Sequence, residues 1–84
     1  MSPEFHLTLI GKPGCHLCDD AEAVVASVLV DFPNQVSLTK QNILEDDDLF
    51  ARYSEEIPVL LINGKVHNYW RIDPDRLREA LSQS

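Results

Sequence analysis

The chain has 84 residues, 44% of them hydrophobic and 25% charged, and its 14 acidic and 7 basic side chains give a formal net charge of −7. That length holds one domain, and the composition is that of a folded globular chain rather than a disordered one. The acidic balance argues against nucleic acid or an anionic membrane surface as the default partner, since both require a basic face. The longest apolar stretches, such as Val28–Val30 and Val59–Ile62, fall far short of the ~18 residues of a membrane span.

Met1-Ser2-Pro3-Glu4 has neither the basic start nor the apolar run of a secretory leader. The expectation is a soluble, cytoplasmic, monomeric protein, one domain over 1–84 with its core across about 5–82. Phe5, Leu7 and Leu9 alternate with His6 and Thr8, and Ile10 precedes Gly11-Lys12-Pro13-Gly14. This reads as a strand of about six residues running into a turn. Leu17, Ala21, Val24, Val25, Val28, Leu29 and Phe32 then recur at helical steps, with Asp19, Asp20, Glu22 and Ala26 facing away, until Pro33-Asn34 ends the helix. Its many β-branched residues mean that packing rather than intrinsic propensity holds it.

Val36 and Leu38 alternate with Ser37 and Thr39 as a short second strand. Around Asp46-Asp47-Asp48 a brief helix begins, with acids at its positive end and Leu49, Phe50 and Tyr53 as its apolar face. The neighbouring run Glu45-Asp46-Asp47-Asp48 lacks the spaced ligands and central glycine of a calcium loop, so it reads as a solvated helix start. Ile57-Pro58-Val59-Leu60-Leu61-Ile62 suits a strand buried on both faces. Asn63-Gly64 is a strong hairpin signal, so Lys65 to Tyr69 should return antiparallel. Asp73-Pro74-Asp75 starts a last helix, Asp73 as N-cap and Pro74 at the first helical position, with Ile72, Leu77, Ala80 and Leu81 inward. The order is β-α-β-α-β-β-α, an α/β fold whose first two strands are parallel neighbours joined by a right-handed crossover. His6 and His67 read as strand-surface residues.

The two cysteines stand together as Cys15-His16-Leu17-Cys18. A lone C-x-x-C beside a βαβ pattern is a redox candidate, whereas zinc usually wants a second pair and covalent haem needs a histidine where Asp19 stands. Disulfide exchange requires an exposed attacking thiolate and a second thiol within reach. With the helix starting after Gly14, Cys15 meets its unpaired N–H groups and positive end, which makes it the nucleophile. Cys18, one turn in on the face of Ala21 and Val25, is the resolving thiol. His16 would favour a thiolate at Cys15 if protonated, while Asp19 and Asp20 would oppose it, each by on the order of 1 kcal/mol at a solvated surface.

Three features together resemble the glutaredoxins of the thioredoxin superfamily, in particular small bacterial glutaredoxin-like proteins. They are Lys12-Pro13-Gly14-Cys15-His16-Leu17-Cys18 between strand and helix, Ile57-Pro58 entering the third strand, and the element order itself. The resemblance implies a four-stranded mixed sheet flanked by helices, and a cis Pro58 facing the cysteines. It implies that the backbone of Ile57 pairs with a disulfide substrate or with glutathione. It further implies that Lys12 lies near a glutathione carboxylate and that Asp73 caps a helix receiving another. His16-Leu17 replaces the family's usual Pro-Tyr, and Trp70-Arg71-Ile72-Asp73-Pro74-Asp75 stands where a Gly-Gly turn and an acidic pair are usual.

The expected function is thiol–disulfide oxidoreduction on protein or glutathione mixed disulfides. No bound cofactor or metal is expected; glutathione is a co-substrate candidate, and glutathione or a reductase resets the pair. The rivals are a metal or iron–sulfur carrier in which two subunits share a cluster through Cys15, and a redox-silent binding module docking through the Pro58 surface.

Overall fold

Leu7 and Leu9 face one side of the first strand and Ile10 the other, and the molecule is built on that period of two. The computed structural model describes residues 5–82. In chain order these form β1 (Phe5–Gly11), α1 (His16–Leu29), β2 (Val36–Asn42), a 3-10 turn (Ile43–Glu45), α2 (Asp47–Tyr53), β3 (Val59–Ile62), β4 (Lys65–Tyr69) and α3 (Pro74–Ser82). The four strands make one mixed sheet in the order β2-β1-β3-β4. β1 runs parallel to β2 from Phe5↔Val36 to Gly11↔Asn42, and antiparallel to β3 from Leu7↔Ile62 to Ile10↔Val59.

Helices α1 and α3 cover one face. Ala21, Val25 and Val28 of α1 and Leu77 and Leu81 of α3 close over Leu7, Leu9 and Leu60, with Ile72 at the margin. The other face is smaller: Ile10, Val59 and Ile43 are buried there beneath Leu49 and Tyr53 of α2, with Ile57 and Leu61 beside them. The α/β class, the element order and the parallel β1–β2 pair agree with the sequence. Asn63 (φ 52°) and Gly64 (φ 85°) are both left-handed, as a two-residue hairpin turn requires.

Boundaries depart from expectation for local reasons. The first helix stops at Leu29, short of Phe32, because Asp31 N and Phe32 N bond only three residues back, to Val28 O and Leu29 O at 3.0 Å each. Phe32 still packs on the core, while Val30 is exposed. The second strand runs on to Asn42, since every residue to that point has a partner on β1. The third starts at Val59, not Ile57, because Glu56 N and Ile57 N still bond back to Tyr53 O. It is not buried along its whole length: Val59 and Leu60 are, whereas Leu61 and Ile62 are half-buried. His67 is half-buried on β4, and its Nε2 is a buried atom with no hydrogen-bond partner among the described residues.

Candidate active site

β1 and β3 are antiparallel, so the end of β1 and the start of β3 lie at the same end of the sheet. The turn Lys12–Gly14 leaves β1 there, and Gly14 (φ 75°) reverses the chain into α1. Cys15 is the N-cap, extended at φ −100° and ψ 112°. Its Sγ accepts the Cys18 backbone N–H at 3.2 Å, doing for this helix what a Ser or Asp oxygen usually does. Both cysteines are free thiols, Cys15 half-buried and Cys18 buried.

Burial pushes the Cys18 thiol up to about 11; the hydrogen bond with Cys15 adds to this, and the Lys12 backbone N–H beside the sulfur opposes it. Cys18 therefore holds its proton in the resting state. Its sulfur is packed against the backbone of Gly11, where an added Cβ would come within 2.8 Å of Cys18 Sγ. Gly11 did not stand out in the sequence, because the contact joins a strand to a helix and leaves no periodic trace.

Pro58 is buried, and the Ile57–Pro58 bond is cis. Ile57 packs against the smaller core cluster, and its N–H is donated to Tyr53 O at 3.1 Å. What its backbone leaves open to a ligand is the carbonyl, to which no donor comes among the described residues. Lys12 and His16 are exposed, the latter as the first residue of α1. Asp73 is exposed as well, and its Oδ1 accepts from Asp75 N at 2.9 Å and Arg76 N at 3.2 Å. The first N–H groups of α3 are thus held by the chain's own carboxylate.

Two clefts border the first turns of α1, and the larger is lined by Cys18. The larger, of about 540 Å³, brings Lys12 and Cys18 together with Glu22, Lys40, Asn42 and Asp46, and in it Lys40 Nζ lies 2.9 Å from Glu22 Oε1. The smaller, of about 220 Å³, lies between the start of α1 (Leu17, Asp20, Val24) and Trp70-Arg71-Ile72. The Glu22–Lys40 pair was not foreseen from sequence; Tyr69 and Trp70, which the sequence reads as core residues before rim contacts of the site, are instead exposed, and Trp70 lines the smaller cleft. Among the described residues no group of three or more His, Cys, Asp and Glu side chains could hold a metal ion, and no helix is long and apolar enough to cross a membrane.

The sheet order, the two helical layers and the cysteine pair at the start of α1 define a glutaredoxin-like protein of the thioredoxin superfamily. Residues 6–82 match the family described as Glutaredoxin-like domain (DUF836), and the chain belongs to that family. A structural-genomics target protein of X. campestris, XcR50, is similar at a TM-score of 0.75 with 29% identity, over 93% of this chain and 97% of that one. A glutaredoxin-like protein of Dictyostelium discoideum is 30% identical over 73 residues, which is 79% of this chain and 65% of the relative. Chloroplastic thioredoxin z, with a TM-score of 0.76 over 94% of this chain and 76% of its own but 15% identity, shares the fold.

Proposed function

We propose that the protein is a thiol–disulfide oxidoreductase in which Cys15 attacks and Cys18 resolves. The observation that carries this reading is the first turn of α1: Cys15 Sγ sits at the helix start accepting a backbone N–H, with the buried Cys18 one turn in. Thiolate is the attacking form of cysteine, and Cys15, at the helix start, is the more exposed of the two sulfurs. Cys15 sulfur bonds to one sulfur of a substrate disulfide, whose S–S bond breaks, and the departing sulfur takes up a proton. Cys18 then gives up its proton and attacks Cys15 Sγ. The Cys15–Cys18 disulfide forms, and the second substrate thiol leaves with a proton. Two electrons pass to the substrate, and glutathione or a thioredoxin-type reductase returns them; the reading is of a monomer working in a reducing, cytoplasmic setting.

In this reading Pro58 and the Ile57 carbonyl line the path of the incoming disulfide, His16 tunes Cys15, and Lys12 meets a ligand carboxylate. Asp73 occupies the start of α3 itself, which favours a protein disulfide over an anionic tripeptide there. The test is a titration in glutathione buffers, with thiols trapped by alkylation and read by intact mass. The pair should interconvert at a potential between about −270 and −120 mV. Cys15→Ser should abolish disulfide reductase activity, and Cys18→Ser should accumulate a mixed disulfide on Cys15. No disulfide at any potential, or full activity in Cys15→Ser, would sink the proposal.

A further inference from the structure

Trp70 is left-handed, with φ 64°; the other non-glycine residues at positive φ among the described residues are both asparagines. Asparagine tolerates that region, but for a bulky side chain it is a true outlier that persists only where the surroundings over-determine it. Two hydrogen bonds do so. Trp70 N donates to Pro58 O at 2.8 Å, and the indole Nε1–H donates to Glu55 O at 3.1 Å. One residue therefore grips the chain on both sides of Glu56-Ile57, the segment that carries the open Ile57 carbonyl. The ring packs edge-on against Tyr69, centroids 5.0 Å apart, yet Trp70 remains 53% exposed. It also forms one wall of the smaller cleft, whose other wall includes Leu17, two residues beyond Cys15.

Resting on the oxidoreductase reading, we infer that Trp70 is a positioning and specificity residue selecting polypeptide disulfides. It fixes the Glu55–Pro58 segment at the cysteine end of the sheet, and its exposed indole receives an apolar side chain flanking the target cysteine. The occupant is polypeptide because the cleft joins apolar Leu17, Val24 and Trp70 to one acid, Asp20, and one base, Arg71. Such a lining suits mixed side chains. It has no cluster of cations for a small anionic disulfide.

Glycine at position 70 would adopt the left-handed backbone without strain and retain the backbone N–H, so Trp70→Gly removes chiefly the ring and its indole bond. Trp70→Phe keeps a ring but loses the bond to Glu55 O. Steady-state kinetics of the full chain, with dithiothreitol as reductant, would compare insulin, a polypeptide disulfide, with bis(2-hydroxyethyl) disulfide, which has no flanking chain. For Trp70→Gly the KM for insulin should rise about tenfold, while kcat/KM for the small disulfide falls severalfold less, by what the loosened Glu55–Pro58 segment costs. Trp70→Phe should fall between wild type and Trp70→Gly on insulin, and it carries the test should Trp70→Gly fail to fold by circular dichroism. An unchanged KM for insulin, or equal losses on both disulfides, would overturn the inference while leaving the oxidoreductase reading intact. A wild-type protein that reduces neither disulfide overturns both.

Discussion

Gly11→Ala tests how the resolving thiol is held, and the sign of its effect is decisive. Gly11 is not in the left-handed region, so alanine fits the backbone. Were the space open, the change would stabilise by about 0.4–1 kcal/mol through the unfolded chain. The space is not open: the new Cβ would lie 2.8 Å from Cys18 Sγ and 3.1 Å from Cys18 Cβ, against ordinary contact near 3.5–4.0 Å, so something must shift by roughly 0.7 Å. Neither side yields freely. Gly11 is paired with Asn42 of β2, and the helix that carries Cys18 is packed through Ala21, Val25 and Val28. Overpacking of this kind costs about 1–3 kcal/mol, which for a domain of this size lowers Tm by about 5–20 °C. Thermal unfolding of the reduced protein, followed by circular dichroism, measures it. Cys18→Ala removes the closer contact, so the double variant should lose less than the sum of the single variants, with a coupling of about 0.5–3 kcal/mol. A Gly11→Ala protein as stable as wild type, or strict additivity, would refute the reasoning.

Two further predictions concern protons. Folding raises the Cys18 thiol from its ordinary 9.0 to about 11, chiefly by burial. The unfolded chain therefore releases this proton first as pH rises, so the reduced protein keeps the contribution below about pH 9 and loses it through pH 11. Urea midpoints at pH 8 and 10.5 should show a drop that Cys18→Ala lacks; equal slopes would contradict it. His67 shifts the other way, lowered from 6.5 by burial first and by the nearby Arg76 second. The folded state resists its protonation, so stability is full above pH 6.5 and falls as the pH drops below it. His67→Gln should reduce the loss between pH 7 and 5, and an unchanged profile would show that His67 does not drive it.

What was legible in the sequence was whatever is written locally. The alternation of Leu7, Leu9 and Ile10 assigned two faces, Asn63-Gly64 named its hairpin, and Asp73-Pro74 marked the start of α3, where the carboxylate holds two N–H groups. The Cys15–Cys18 spacing likewise placed one sulfur at a helix start and the other inward. Features set by single hydrogen bonds, which leave no apolar pattern, were not legible. The apolar spacing continued to Phe32, but the helix had already tightened and ended. Ile43 gave no sign of the 3-10 turn that buries it, because Asn42 forms that turn by accepting Leu44 N at 2.8 Å. Trp70 reads as an ordinary aromatic until Glu55 and Pro58, a dozen or more residues away, supply the acceptors.

The two ends of the sheet are built differently. At the end away from the cysteines, Asn63 N donates to His6 O and Asn63 Oδ1 accepts from His6 N, both at 2.8 Å, while Phe5 N donates to Gln35 O and Ser37 Oγ meets His6 Nδ1. That end is laced shut. At the opposite end, residues 12–15, 54–58 and 70–73 enter or leave the strands, with Trp70 tying the last two together, and most of the proposed chemistry gathers on them. A scaffold clamped at one end lets those segments be exchanged among relatives without unmaking the sheet. The lacing around His6 and Asn63 is thus the handle by which new specificities could be grafted onto this frame.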